Sequence, residues 1–288
     1  MSTIRNPVEW TFAQVRDASA VVGSTARAIG HIPDDVRAAR PVVRRIAVAD
    51  LGEVFRAGFQ DFTASRADVV LLCVIYPVVG LILGRLVFGG GMLPLLFPLA
   101  SGFALVGPFA CIGLYEMSRQ REQGGEVNWA HAFDVFRSPA AGAVGGLGSL
   151  LVAVFLLWLI AAAVIFNLTL GPQPPASLAL FAHDVLTTQA GWAMTVIGIG
   201  VGFLFAVVAM AISVVSFPLL LDRHVSLGTA IWTSVRAVAA NPAPMAAWGA
   251  IVAAALLAGS VPALLGLVVV MPVLGHATWH LYRKLIPR

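Results

Sequence analysis

The sequence predicts an all-helical, polytopic membrane protein with six transmembrane helices, arranged as three parallel repeats of an amphipathic interfacial helix plus a transmembrane hairpin. The first supporting observation is composition, because 59% of the residues are hydrophobic and only 11% are charged. A mean hydropathy of +0.90 excludes an ordinary soluble globular protein. The second observation is the recurrence of apolar runs, and the third is the placement of basic residues between alternate runs.

Six apolar segments approach or exceed the roughly twenty residues that cross a hydrocarbon layer about 30 Å thick. They run from about Val69 to Phe88, Met92 to Tyr115, Ala140 to Leu168, Gly191 to Leu221, Pro242 to Leu257 and Val261 to Tyr282. We expect residues 1–43 to form a cytoplasmic, partly helical extension. Residues 44–288 then form the six-span membrane domain.

The basic residues predict the orientation of these spans. Seventeen of the eighteen Lys and Arg residues precede the first span, follow the second or fourth, or follow the sixth. By the positive-inside rule this side is cytoplasmic, which predicts a multi-pass bacterial inner membrane protein with both termini in the cytoplasm. The net charge of +4 therefore reports topology, and the predicted partner is the lipid bilayer rather than nucleic acid.

A short amphipathic segment precedes each pair of spans, which gives three repeats at about residues 50–119, 128–223 and 226–284. The segments open with the N-cap residues Asp50, Asn128 and Ser226 and continue with apolar residues at helical spacing. The stripes are Leu51, Phe55, Gly58 and Phe62; Trp129, Phe133 and Phe136; and Leu227, Ile231 and Val235. We expect these helices to lie on the inner membrane surface or to cover the bundle floor. Ser138-Pro139 and Asn241-Pro242 are typical starts of the following spans.

The spans that close the first and third repeats end in a similar way. Pro108, Tyr115 and Arg119 have the same spacing as Pro272, Trp279 and Arg283. Aromatic and basic residues are typical of the boundary between lipid and water. The predicted membrane-interface motif is Tyr115, Arg119, Trp279, Tyr282 and Arg283.

The most distinctive candidate site is the histidine pair His276 and His280, which share one helix face. Such a pair can bind a metal ion, and opposed pairs can hold haem, with His224 and His131 as candidate further ligands. No Cys, Asp or Glu accompanies the pair within its span, and the adjacent basic residues repel cations. We therefore favour an ordinary interfacial helix end and predict no cofactor. Metal or haem binding, a partner contact and a proton relay are the alternatives.

Three GxxxG spacings predict close approach between helix backbones. They consist of Gly80 and Gly84, Gly142 and Gly146, and Gly198 and Gly202. We favour packing within one bundle, because six helices must pack against each other, and keep homo-oligomerisation as the alternative. No enzyme motif is present: the glycine-rich run at 142–148 opens a span, and Glu116, Glu122 and Glu126 lie in a connection where solvated charge is the default interpretation.

Four segments resemble the DUF2189 family of predicted bacterial integral membrane proteins. They are RRIAVADLGEVFRAGFQDF, LASGFALVGPFACIGLYEMSR, FPLLLDRHVSLGTAIWTSVRAVAANP and GHATWHLYRKL, of which the last is the most specific. The resemblance extends over about residues 44–285. It implies a membrane protein of unknown function, with a hint of respiratory partners because some members carry the label of cytochrome c oxidase subunits.

The function that these observations favour is that of a non-catalytic membrane protein. We expect an accessory or assembly subunit of a larger membrane complex, with a respiratory complex as the first candidate. The alternatives are a small-molecule or ion transporter, and a metal- or haem-binding membrane protein that uses His276 and His280.

Overall fold

The computed structural model describes residues 41–64, 73–89, 93–125, 135, 138–173, 175–262 and 264–288. Within these ranges the regular structure is helical and no strand occurs, which confirms the predicted all-helical class. The helices are α1 (Asp50–Ala64), α2 (Ile75–Gly89), α3 (Leu96–Ala110), α4 (Ile112–Glu122), α5 (Ala141–Thr169), α6 (Leu178–Thr187), α7 (Gln189–Ser213), α8 (Ser216–Asp222), α9 (Leu227–Ala240), α10 (Pro242–Ser260) and α11 (Leu267–Leu285).

Three helical stretches in the described residues are long and apolar enough to cross a membrane. These are α5, the continuous stretch Gln189–Asp222 that contains α7 and α8, and α10. They correspond to the third, fourth and fifth predicted spans. Only 17% of the most apolar window of α5 is buried inside the protein, against 56% for Gln189–Asp222. The outward surface of α5 is apolar, which suits contact with lipid.

The other three predicted spans do not reach this length or composition. α2 and α3 have fifteen residues each, while residues 69–72 and 90–92 lie outside the described part. The second predicted span is also interrupted at Cys111, where α3 ends and α4 begins. α11 is not among the three apolar stretches. Six crossings and a threefold repeat therefore stay predictions.

The amphipathic helix α1 covers protein rather than lipid with its apolar stripe. Leu51, Val54, Gly58 and Phe62 are buried, and α11 is the helix against which α1 packs most extensively. The position of α1 relative to the membrane stays a prediction. The corresponding stripe that opens at Asn128 lies outside the described residues.

The third amphipathic segment, α9, differs from the expectation. Ser226 is the N-cap as predicted, and its hydroxyl accepts a hydrogen bond from the Thr229 N–H. The expected stripe of Leu227, Ile231 and Val235 is only half-buried, whereas the small side chains of the neighbouring face are fully buried. That buried face consists of Ala230, Thr233, Ser234 and Ala237. Small residues let α9 approach the adjacent helices closely.

The two predicted span starts behave differently from each other. α5 begins at Ala141 with Ala140 at the N-cap, so the expectation of a start at Ser138-Pro139 is wrong. The Ser138 hydroxyl donates to the Val135 carbonyl instead. α10 does begin at Pro242 after Asn241, but the Asn241 side chain makes no cap hydrogen bond. It binds a distant segment of the chain, which is described below.

Candidate functional site

The C-terminal half of α11 is the centre of the buried polar structure. Gly275 to Tyr282 contains side chains that are almost completely enclosed, including His276 (1% exposed) and Trp279 (0% exposed). Helices α1, α4, α8 and α10 all contact α11. The approach of α1 is very close, because a Cβ atom added to Gly58 would lie 2.6 Å from the backbone nitrogen of Ala277. Glycine is therefore needed where the two helices touch.

One group of polar side chains, which we name the Asp61 cluster, joins α1, α4 and α11. It consists of Asp61, Ser118, Arg121, His276 and His280. Both the Ser118 Oγ and the His280 Nε2 contact the Oδ2 of Asp61, at 2.7 and 2.8 Å. The Nδ1 of His276 lies 2.7 Å from the same Ser118 Oγ. Arg121 approaches the other carboxylate oxygen, Oδ1, at 3.4 Å.

The number of protons decides the direction of these hydrogen bonds. An ionised carboxylate only accepts, and a serine hydroxyl has one proton to donate. Ser118 therefore donates to Asp61 and accepts from the Nδ1–H of His276, while the Nε2–H of His280 donates to Asp61. This assignment leaves the Nε2 of a neutral His276 as an acceptor, and that atom is buried without a partner in the described residues.

Asp61 is ionised in this environment despite its burial. Burial by itself raises the pKa of Asp61, but the hydrogen bonds from His280 and Ser118 favour the charged form, and the net result is a pKa below the ordinary value. The side chain of Asp61 is 9% exposed. A buried charge of this kind must be fully paired, so Asp61 fixes the positions of its neighbours.

A second group, the Glu122–Asp222 cluster, joins the ends of α4, α8 and α11. Arg283 is central, since its guanidinium contacts Glu122 and Asp222, each at 3.1 Å. The indole N–H of Trp279 donates to Glu122 at 3.1 Å. The Tyr282 hydroxyl donates to Asp222 at 2.6 Å. Two aromatic side chains and one arginine of α11 thus bind two acids that are far from them in sequence.

Lys284 adds a third connection, from α11 to the start of α1. Its Nζ lies 2.7 Å from Glu53 and 3.4 Å from Asp50. The hydrogen bond that Lys284 donates to Glu53 raises the pKa of Lys284, so the amine is charged. The pKa of Asp50 is lowered, first by the hydrogen bond from the Ala47 N–H and also by Lys284. These groups are partly or largely exposed and contribute little stability.

Protein encloses the aromatic residues of the predicted membrane-interface motif, and the position of the motif relative to the bilayer stays a prediction. Tyr115 is 2% exposed, and Trp279 and Tyr282 are 0% exposed, so protein surrounds these rings. Arg283 binds acids of neighbouring helices. Arg119 makes two hydrogen bonds to Glu116. The expectation that Glu116 is solvated is wrong, because its side chain is 3% exposed.

Each of the two histidines uses one ring nitrogen for a contact within the chain. His276 uses Nδ1 to contact Ser118, and His280 uses Nε2 to contact Asp61. Within the described ranges, no set of three or more His, Cys, Asp or Glu side chains has the arrangement of a metal site. Of the further candidate ligands, His224 is exposed, and His131 lies outside those ranges.

The GxxxG glycines divide into packed and open positions. A Cβ at Gly202 would lie 3.0 Å from Trp158, and Gly146 is buried, so both support packing within the chain. Gly84, Gly142 and Gly198 have no atom within 4 Å of an added Cβ. Gly80 is half-buried. Internal packing therefore explains two of the six positions.

Sequence reasoning missed the acids that bind the histidines and aromatic residues. Asp61 and Asp222 received no role and Glu122 was interpreted as a solvated charge, because their partners come from remote helices. One signal was available for Asp61. It lies three residues after Gly58 and seven after Val54, on the stripe of α1 that is otherwise apolar and buried. A carboxylate in such a stripe indicates a buried partner.

Comparison with known proteins identifies one family. Residues 96–222 match the model of DUF2189, described as a predicted integral membrane protein. No curated protein and no solved structure matches the chain. The matched range runs from α3 to α8, so the C-terminal motif and the N-terminal motif of the resemblance lie beyond it. Over residues 96–222, the chain is therefore similar to the DUF2189 family, which is described as a predicted integral membrane protein.

Proposed function

We propose that this chain is a non-catalytic subunit that binds a larger membrane complex through its transmembrane helices. The proposal is supported by the way its polar groups are used. In the described part of the chain, most polar residues of the segment GHATWHLYRKL bind acids of neighbouring helices, and His276 contacts the Ser118 hydroxyl, which gives these residues a role in folding. A surface that remains for an external partner is the outward side of the spans.

The outward surface of α10 is the observation that carries the proposal. Only 22% of its apolar window is buried, and its exposed side has alanine at every fourth position. The alanines are Ala246, Ala250, Ala254 and Ala258, all exposed. Small side chains at a spacing of four let another helix approach closely in a membrane.

The exposed side of α5 provides a contrast within the same protein. Its outward residues are large, as in Leu156 (52% exposed), Leu157 (57%) and Ile160 (61%). Large apolar side chains suit contact with lipid chains, whereas a row of alanines suits a second helix. We therefore assign the partner-binding surface to α10 and the lipid-facing surface to α5.

The number of spans, their repeat arrangement and their orientation are part of the same proposal. We propose six spans in three parallel repeats, in the bacterial inner membrane with both termini in the cytoplasm. The distribution of Lys and Arg along the sequence supports this orientation. Some members of the DUF2189 family carry the label of cytochrome c oxidase subunits. Respiratory complexes are therefore the first partners to test.

Substitution of Ala250 tests the partner surface. In mild detergent, we expect the native protein to migrate with a larger complex, and Ala250→Phe to reduce the associated fraction about tenfold, because an overpacked contact costs about 1–3 kcal/mol. Native gel electrophoresis followed by mass spectrometry measures the association and identifies the partner. Co-isolation of two differently tagged copies separates a homo-oligomer from a complex with another protein.

The matched control is Ile160→Phe, which enlarges a side chain on the exposed side of α5. We expect this variant to retain the association. The proposal is wrong if the native protein migrates alone, or if Ala250→Phe and Ile160→Phe give the same result. The respiratory assignment is wrong if deletion of the protein leaves every respiratory complex intact.

A further inference from the structure

The junction between α9 and α10 presents arginines that have no acidic partner in the described residues. Most basic side chains near α11 form ion pairs, including Arg119, Arg121, Arg283, Lys284 and Arg288. Arg44, Arg45 and Arg236 are exposed, and no carboxylate of the described residues lies within 4.0 Å of them. As far as the described residues are concerned, three positive charges are thus available to an external anion.

The buried side chain of Asn241 holds two of these arginines at the junction. Its amide nitrogen donates to the Arg44 carbonyl at 3.1 Å and to the Ala237 carbonyl at 3.0 Å. Its amide oxygen accepts from the Ile46 N–H at 2.8 Å. The Arg44 N–H in turn donates to the Leu285 carbonyl at 2.8 Å. The backbone of residues 44–46 is therefore fixed, while the arginine side chains stay exposed.

The position of the junction relative to the bilayer follows from α10. This helix begins at Pro242, directly after Asn241, and is long enough to cross a membrane. Its first turn therefore lies at one membrane surface. Arg236 is five residues before Asn241, about 7.5 Å along a helix axis, so it lies close to the same surface.

Exposed apolar side chains accompany the arginines. Trp232 is 54% exposed and precedes Arg236 by one helical turn, so both lie on one side of α9. Val42 (74% exposed) and Val48 (50% exposed) flank the Arg44–Ile46 segment. Tryptophan and arginine are typical of the headgroup region of a bilayer, where one part of a side chain is apolar and the other is hydrated.

We propose that Arg44, Arg45, Arg236 and Trp232 form a binding surface for the headgroup of an anionic phospholipid. The phosphate of the lipid is the partner of the three guanidinium groups, and the indole of Trp232 lies against the adjoining glycerol and acyl region. Arginine suits this role because its planar donors match phosphate oxygens. The surface is independent of the alanine row on α10 and of the proposed partner.

Lipid retention by the purified full-length protein tests the proposal. The protein is solubilised in a neutral detergent with equal amounts of phosphatidylglycerol and phosphatidylcholine, and the lipid that remains bound is measured by native mass spectrometry. We expect selective retention of phosphatidylglycerol. The triple variant Arg44→Gln, Arg45→Gln and Arg236→Gln should lose at least tenfold in this selectivity, since each arginine near an anionic surface contributes about a fivefold factor.

The matched control has the same change in net charge at other exposed arginines. It carries Arg56→Gln, Arg85→Gln and Arg288→Gln and should keep the selectivity. The proposal is overturned if the control loses as much selectivity as the triple variant, or if the native protein binds both lipids equally. An unchanged unfolding temperature of both variants shows that lost binding does not reflect misfolding.

Tryptophan quenching gives a second readout in vesicles. Phosphatidylglycerol with brominated acyl chains should quench the fluorescence of the native protein more than that of the Trp232→Phe variant. The difference between the two proteins isolates Trp232 from the other six tryptophans of the chain. Equal quenching of the two proteins would contradict the placement of Trp232 against the lipid.

Discussion

Replacement of Asp61 by alanine is expected to lower the free energy of unfolding by about 3 kcal/mol or more. Removing one partner of a buried pair typically costs about 3–5 kcal/mol, because the other partner stays buried and unpaired. Here Ser118 and His280 lose their acceptor, and Arg121 loses its counter-ion. Water can reach His280 and Arg121, whose side chains are 25% and 40% exposed, so the lower end of the range applies.

The measurement is the unfolding transition of the purified protein in detergent, followed by circular dichroism during titration with a denaturing detergent. Glu53→Ala is the matched control, because Glu53 is an acid of the same helix that pairs with a base of α11. Its side chain is 75% exposed, so the expected loss is below about 1 kcal/mol. Similar losses for the two variants would contradict the central position of Asp61.

The pH dependence of stability provides an independent check on Asp61. A carboxyl with a lowered pKa in the folded state contributes stability that is complete above its unfolded pKa of about 3.9 and disappears as the pH falls through the lower folded value. The difference in stability between the native protein and Asp61→Asn should therefore be constant near neutral pH and shrink below about pH 4. A difference that does not change with pH would mean that Asp61 is already protonated in the folded protein.

The sequence was sufficient for the helical class and for the three longest apolar helices. A run of about twenty apolar residues has few stable alternatives to a membrane-spanning helix, because lipid offers no hydrogen-bond partners to the backbone. Local composition is enough to predict such a helix, and it correctly located α5, the stretch Gln189–Asp222 and α10. Local sequence was less effective at the start of α5. The Ser138 hydroxyl, which was expected to cap this helix, donates to the Val135 carbonyl of the preceding turn instead.

The polar clusters could not be derived from the sequence for a different reason. His276 contacts a residue 158 positions away, and His280 contacts one 219 positions away. Asn241 likewise binds the backbone of Arg44, at a separation of 197 residues. Spacing along one helix identifies residues that share a face, but it does not identify the helix that packs against that face. The histidines were therefore recognised as unusual without their partners.

The Gly58→Ala substitution is expected to lower the free energy of unfolding by up to about 2 kcal/mol. The added Cβ would lie 2.6 to 2.7 Å from the N, Cα and Cβ atoms of Ala277, which is far inside van der Waals contact. Two of these three atoms belong to the backbone, so α1 and α11 must move apart, at a cost of about 1–3 kcal/mol. The higher helix propensity of alanine, worth about 1 kcal/mol, offsets part of this cost.

Gly52→Ala is the control on the same helix and has the opposite expected sign. A Cβ at Gly52 meets no atom within 4 Å, and the residue is exposed. At this position the substitution adds only the higher helix propensity of alanine. We therefore expect stabilisation of up to about 1 kcal/mol in the same unfolding measurement. Stabilisation by both substitutions would show that α1 and α11 do not approach each other as closely as the structure indicates.

The Gly58 and Asp61 effects should also be coupled, because the two residues are one helical turn apart and face the same helix. A wider gap between α1 and α11 at Gly58 also lengthens the contact between Asp61 and His280, which is 2.8 Å in the native protein. The double variant Gly58→Ala and Asp61→Ala should then lose less stability than the sum of the single variants, by about 1 kcal/mol or more. Strict additivity would mean that the close backbone contact and the Asp61 cluster stabilise the α1–α11 pair independently.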